Sequence, residues 1–122
     1  MTAEQLGFAQ EMIFASGAVE VFTVAASMKK SRPGTLITVI CRENNRKEVV
    51  EAIFKYTTTI GIREKICNRY VLNREIVEVD TKYGKVHKKI STGYGVHREK
   101  YEYEDLAKIA RENNISIDEV VK

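Results

Sequence analysis

The apolar positions of this chain change period several times, and each change marks an element. Leu6, Phe8, Ala9, Met12 and Ile13 recur at helical spacing behind Thr2 and Gln5, a capping-box pair, so a helix is expected over about 3–15, ending at Ser16-Gly17. Residues 18–28 and 35–42 are instead nearly continuous Val, Ile, Phe, Thr and Ala. Such runs read as strands buried on both faces or nearly so, and the short stretch between them makes them a hairpin. Val49, Val50, Ile53 and Phe54 restore the helical period over about 46–56, with Asn44 or Asn45 as N-cap and Glu48 three residues beyond Asn45. That helix should stop in the β-branched run Thr57-Thr58-Thr59.

From Ile60 to Asp80 the pattern is strand-like but long, giving two strands or one bent near Asn73-Arg74. Glu75–Thr81 and Lys85–Ser91 should pair as a hairpin around Gly84. Gly93 and Gly95 then flank Tyr94 and open a polar link, followed by an amphipathic helix over Tyr103–Asn113 and a short helical tail capped by Ser116. This order predicts an α+β sandwich, an antiparallel sheet with helices on one face and a C-terminal helical tail. One more strand before the first helix would complete a ferredoxin-like fold. Its absence leaves an open edge, which favours a homo-oligomer.

At 122 residues the chain fits one folding unit. It has no apolar run long enough to cross a bilayer and no signal-peptide pattern at Met1. Cys41 and Cys67 lie far apart in apolar segments, which suits buried free thiols and a cytoplasmic protein. The net charge is only +3, but residues 1–28 carry acids alone, Glu4, Glu11 and Glu20, whereas residues 82–100 are strongly basic. Concentrated positive charge points to anionic partners.

The basic turn Lys29-Lys30-Ser31-Arg32-Pro33-Gly34, with Pro33 and Gly34 as punctuation, is either a phosphate site or a solvated hairpin tip. Thr57–Thr59 with Gly61 and Arg63 is either a hydroxyl and backbone anion nest or simply a helix end. Lys85 and Lys89 alternate onto one face of their strand and Lys88 onto the other. His87 and His97 lack a second ligand at metal spacing on their own elements, so a protein-only metal site is not expected. Mg²⁺ carried on nucleotide phosphates needs just one or two carboxylates, and Glu102, Glu104 and Asp105 are available, although acids also suit a helix start. No nucleophile triad, Walker A or dinucleotide fingerprint is present. Tyr70, Tyr83, Tyr94 and Tyr101 near basic patches would suit RNA stacking, but the charge excess is small for a nucleic-acid domain.

Several segments together resemble the C-terminal domain of the LarC nickel-insertion family: Gly17–Phe22, Met28-Lys29-Lys30-Ser31-Arg32-Pro33-Gly34-Thr35, Thr57–Arg63, Arg74-Glu75, Lys82–Val86 and Tyr103-Glu104-Asp105. They run in family order over nearly the whole chain. The resemblance implies a ferredoxin-like, hexamer-forming domain that binds CTP with Mg²⁺ or Mn²⁺. The enzyme it implies is a nickel chelatase of the lyase class, which inserts nickel into a pyridinium dithiocarboxylate mononucleotide, hydrolyses CTP to CMP and pyrophosphate, and so completes the nickel-pincer cofactor of lactate racemase. It further implies Lys29, Lys30, Arg32, Thr58, Thr59, Arg63, Arg74 and Lys88 for the triphosphate and Glu104 for metal or ribose. The family's first strand and its larger N-terminal domain, where nickel is expected to bind, precede the matching region. The alternative is an oligomeric scaffold or regulatory module with an anion-binding patch and no catalysis of its own.

Overall fold

The computed structural model describes all 122 residues, which gather into two compact units, Met1–Lys65 and Ile66–Lys122. The class is α+β with antiparallel pairing throughout, but the strands divide between a two-stranded and a three-stranded sheet.

In the first unit α1 (Ala3–Ala15) is opened by the reciprocal Thr2 and Gln5 bonds, 3.1 Å from the Gln5 N–H to Thr2 Oγ1 and 2.8 Å from the Thr2 N–H to Gln5 Oε1. Gly17 follows at φ 114°, a conformation that suits glycine, and its carbonyl accepts from Asn45 Nδ2 at 3.3 Å. Asn45 therefore ties the start of α2 (Arg46–Tyr56) to the end of α1 and makes no side-chain cap of its own helix. Strands β1 (Glu20–Met28) and β2 (Arg32–Ile40) pair from Glu20↔Ile40 to Met28↔Arg32.

The core of this unit is Ala9, Ile13, Ala18, Val21, Val49 and Ala52, with Ile37 and Val39 against it. The two helices thus cover the hairpin face of Val21, Ile37 and Val39. The opposite face, with Phe22, Val24, Met28, Leu36 and Ile40, is exposed. The apolar runs that predicted burial on both faces are buried on one. A continuous apolar run cannot reveal which face the chain itself covers.

Residues 57–72 carry no regular structure, so the strand expected from Ile60 begins only at Asn73. β-branched and aromatic residues favour a pleated surface with neighbours to pack on, and this stretch has no ladder partner. Ile60 is fully exposed, as are most of Ile66 and Tyr70. Cys67 is exposed and Cys41 half-buried; both are free thiols, but neither is buried as expected.

In the second unit β3 (Asn73–Thr81), β4 (Gly84–Gly93) and β5 (Val96–Tyr101) form a meander. The hairpin around Gly84 is in the expected place. β5 occupies what read as a polar link, because its one-faced pattern is built from charged pairs instead of alternating apolar residues. Helices α3 (Tyr103–Asn113) and α4 (Ile117–Val120) pack Leu106, Ile109, Ala110 and Val120 on Val86. Ser116 caps α4 through Glu119, which accepts from the Ser116 N–H at 2.8 Å.

Candidate anion-binding site

The basic turn is tighter than its punctuation suggested. Lys29–Ser31 form a single 3₁₀ turn, with Lys30 at φ 60° and Ser31 at φ 56°, while Pro33 and Gly34 lie inside β2 opposite Ser27 and Ala26. The expectation that Pro33-Gly34 makes the turn is thereby corrected. Proline is tolerated in β2 because both strands of a two-stranded sheet are edges. A β-carbon at Gly34 would meet only the side chain of Met28, which is flexible and exposed and can turn aside. Two consecutive non-glycine residues in the left-handed region are costly, and such strain gathers at functional sites.

Lys29, Lys30, Arg32 and Arg63 have no carboxylate within ion-pair distance, so nothing in the chain neutralises them. Arg63 lies in the irregular stretch after α2. There Thr57 Oγ1 donates to Ile53 O at 2.7 Å, and Thr59 Oγ1 donates to Gly61 O at 2.8 Å while accepting weakly from the Gly61 N–H at 3.5 Å. Thr59 therefore spends its proton on the loop, whereas the Thr58 hydroxyl is not engaged in any such bond. No hydrogen bond or ion pair joins the Lys29–Arg32 turn to Thr57–Arg63.

The remaining candidates lie in the second unit. Arg74 pairs with Ser91 and shares that face with Lys89, His87 and Lys85, while Lys88 points to the opposite face. Lys88 is committed: its Nζ lies 2.9 Å from Glu99 Oε2 and 4.8 Å from the Tyr101 ring centroid, and its side chain is only 20% exposed. The hydrogen bond to Glu99 holds the Lys88 ammonium above the usual lysine range, and the same bond, with a second from His97, holds Glu99 low. Lys89 is paired with Glu102 at 3.1 Å. Glu104, in the first turn of α3, forms no ion pair and remains available to a cation.

One further group was not legible from spacing. Asp105 Oδ2 accepts from the His87 N–H at 2.6 Å and lies 2.7 Å from His87 Nδ1; these contacts, the backbone one first, lower the Asp105 pKa. Its partners come from another element, so no motif on one helix or strand announces them. Two open depressions, about 310 Å³ between α1 and α2 and about 290 Å³ beside α3, are lined by none of the candidate phosphate donors.

The fold and its uncompensated cations thus describe a small α+β domain equipped to meet an anion. Residues 1–121 match the Nickel insertion protein family, and the chain belongs to it. It is 39% identical over 120 residues to the pyridinium-3,5-bisthiocarboxylic acid mononucleotide nickel insertion protein of Acetivibrio thermocellus, covering 98% of this chain and 30% of that protein. The protein of the same description from Clostridium kluyveri is 40% identical over 123 residues, 100% of this chain and 31% of that one. The chain therefore spans about 30% of the length of these curated relatives.

Among solved structures, it superposes with a TM-score of 0.85 and 34% identity on LarC2, described as the C-terminal domain of a cyclometallase involved in the synthesis of the NPN cofactor of lactate racemase, in its apo form. That match covers 98% of this chain and 83% of the other. A Methanopyrus kandleri AV19 protein shares the fold at a TM-score of 0.73 and 23% identity, over 98% of this chain and 75% of that one.

Proposed function

We propose that this chain is the CTP-binding domain of a nickel-inserting enzyme that completes the nickel-pincer cofactor of lactate racemase. The observation that carries the reading is the tight turn of Lys29, Lys30 and Arg32, uncompensated by any carboxylate, in a chain of the nickel insertion family. Arg32 and Arg63 offer planar forks for phosphate oxygens, and Lys29 and Lys30 add point charges. Thr58 adds a free hydroxyl and Thr59 a hydroxyl oxygen. Arg74 and Lys88, which the family resemblance also implies, lie in the second unit, where Lys88 is held by Glu99.

The donor set also fits a hard cation. No three His, Cys, Asp or Glu side chains gather to enclose a metal. Mg²⁺ or Mn²⁺ riding on phosphates neutralises part of their charge itself and needs few protein oxygens, of which Glu104 can supply one. In the whole enzyme an N-terminal domain brings nickel and the pyridinium mononucleotide substrate, and CTP is cleaved to CMP and pyrophosphate. Calorimetric titration with CTP and Mg²⁺ tests this reading: saturable binding supports it, and none refutes it.

A second reading is favoured by the exposed face of Phe22, Val24, Leu36 and Ile40, whose burial requires another surface. On that reading the domain chiefly builds a homo-oligomer, a hexamer in the fullest form, and its cations only steer anions. Light scattering together with a nucleotide titration separates the two: an oligomer indifferent to nucleotide favours the scaffold.

A further inference from the structure

The strongest feature outside the proposed triphosphate contacts is the imidazole of His87. The β3–β4 register sets Glu78 directly across from it, and the first turn of α3 clamps it from the other side. Glu102 N–H donates to His87 O at 2.9 Å, and Asp105 Oδ2 meets both the His87 N–H and Nδ1. A carboxylate only accepts, so the Nδ1 that faces Asp105 carries a proton, and the tautomer this contact selects has its lone pair at Nε2. Nε2 lies 3.7 Å from Glu78 Oε1, while Lys85 Nζ lies 3.7 Å from the other oxygen, Oε2. Both His87 and Glu78 side chains are about half exposed, 49% and 59%, so an ion can reach them from solvent.

We propose that His87 Nε2 and Glu78 Oε1 form an open, two-ligand site for a borderline divalent transition metal such as Ni²⁺ or Zn²⁺, with Asp105 as the positioning residue. Metal-bound histidines characteristically donate their other ring N–H to a carboxylate, which fixes the tautomer and raises ligand basicity, and Asp105 stands in that place. Two ligands at about 2.1 Å from one ion sit about 3.0–3.4 Å apart, a spacing that a small rotation of exposed Glu78 supplies. Imidazole with carboxylate suits Zn²⁺ or Ni²⁺ better than Mg²⁺. The remaining positions stay open to water or to donor atoms of a substrate. His97 is the internal control: its Nε2 already meets Glu99 at 3.0 Å, and Glu99 is tied to Lys88. The inference uses residues separate from the triphosphate donors and holds or fails independently of CTP binding.

The test follows the imidazole nitrogens of the ¹⁵N-labelled chain by NMR during titration with Zn²⁺, Ni²⁺ or Mg²⁺ alone. The expected result is a saturable Zn²⁺ shift of His87 Nε2 ahead of any change at His97, broadening of His87 by Ni²⁺, and no response to Mg²⁺. Glu78→Gln, at an exposed position, should weaken Zn²⁺ binding at least tenfold, and Asp105→Asn by about 10–100-fold. Lys85→Gln should tighten it by removing a competing cation. Equal responses of His87 and His97, or a Glu78→Gln chain that binds Zn²⁺ as tightly as the parent, would overturn the assignment.

Discussion

Replacing Arg32 by glutamine removes one charge from the tip of the β1–β2 hairpin and leaves the chain length similar. Arg32 has no carboxylate partner and belongs to no core cluster, so the folded state loses little. Exposed substitutions of this kind usually stay within about 0.5 kcal/mol of the parent stability. If its guanidinium meets a phosphate, the loss in binding is that of a hydrogen bond to a charged group, about 1.5–3 kcal/mol, or about 10–150-fold in Kd. Arg63→Gln should behave in the same way, since its fork is equally unpaired. Lys89→Gln, already matched with Glu102 at 3.1 Å, should change CTP affinity by less than about threefold, in keeping with the small worth of exposed pairs. Calorimetry with CTP and Mg²⁺, beside urea unfolding of each variant, provides both numbers. Wild-type CTP affinity in the folded Arg32→Gln and Arg63→Gln chains would refute the placement of the site.

The remaining predictions concern the scaffold. Ile13→Ala should cost about 2–5 kcal/mol in urea unfolding, because Ile13 is fully buried among Ala9, Ala18 and Ala52, which are too small to refill the space; a cost under about 1 kcal/mol would show that it is not packed. Gly17→Ala should destabilise by more than about 1 kcal/mol in the same assay, since φ is 114° and the new Cβ would lie 3.0 Å from Asn45 Cγ. The hydrogen bond from the Ser116 N–H holds the Glu119 pKa low. Its stabilisation of α4 is therefore present above the ordinary glutamate range and lost as pH falls through the lowered value. Glu119→Gln should flatten that acid limb in a pH series of unfolding curves, and an unchanged series would contradict the cap's role.

Local signals in the sequence carried most of the fold. The helices over Ala3–Ala15, Arg46–Tyr56 and Tyr103–Asn113 and the hairpin around Gly84 follow from period and capping, which act within a few residues. What escaped were features set by partners distant in sequence. The stretch 57–72 has strand-like composition but no ladder partner, and β5 hides its pairing behind charges such as Glu99 with Lys88. The candidate site divides in the same way. The basic turn was visible as a run of cations beside Pro33 and Gly34, but not that Lys30 and Ser31 themselves make the left-handed turn. The commitment of Lys88 to Glu99 and the clamp of Asp105 on His87 depend on strand register and on where α3 begins, which spacing along one element does not encode.

On the function proposed above, this domain recognises CTP through its uncompensated cations. Parallel calorimetric titrations of the intact chain with CTP, ATP and pyrophosphate, each with Mg²⁺, test it most directly. Saturable CTP binding that is weakened in Arg32→Gln is expected, and since these cations meet phosphates alone, any preference for CTP over ATP would come from base contacts beyond them. No CTP binding, or CTP binding unchanged in Arg32→Gln, would contradict it.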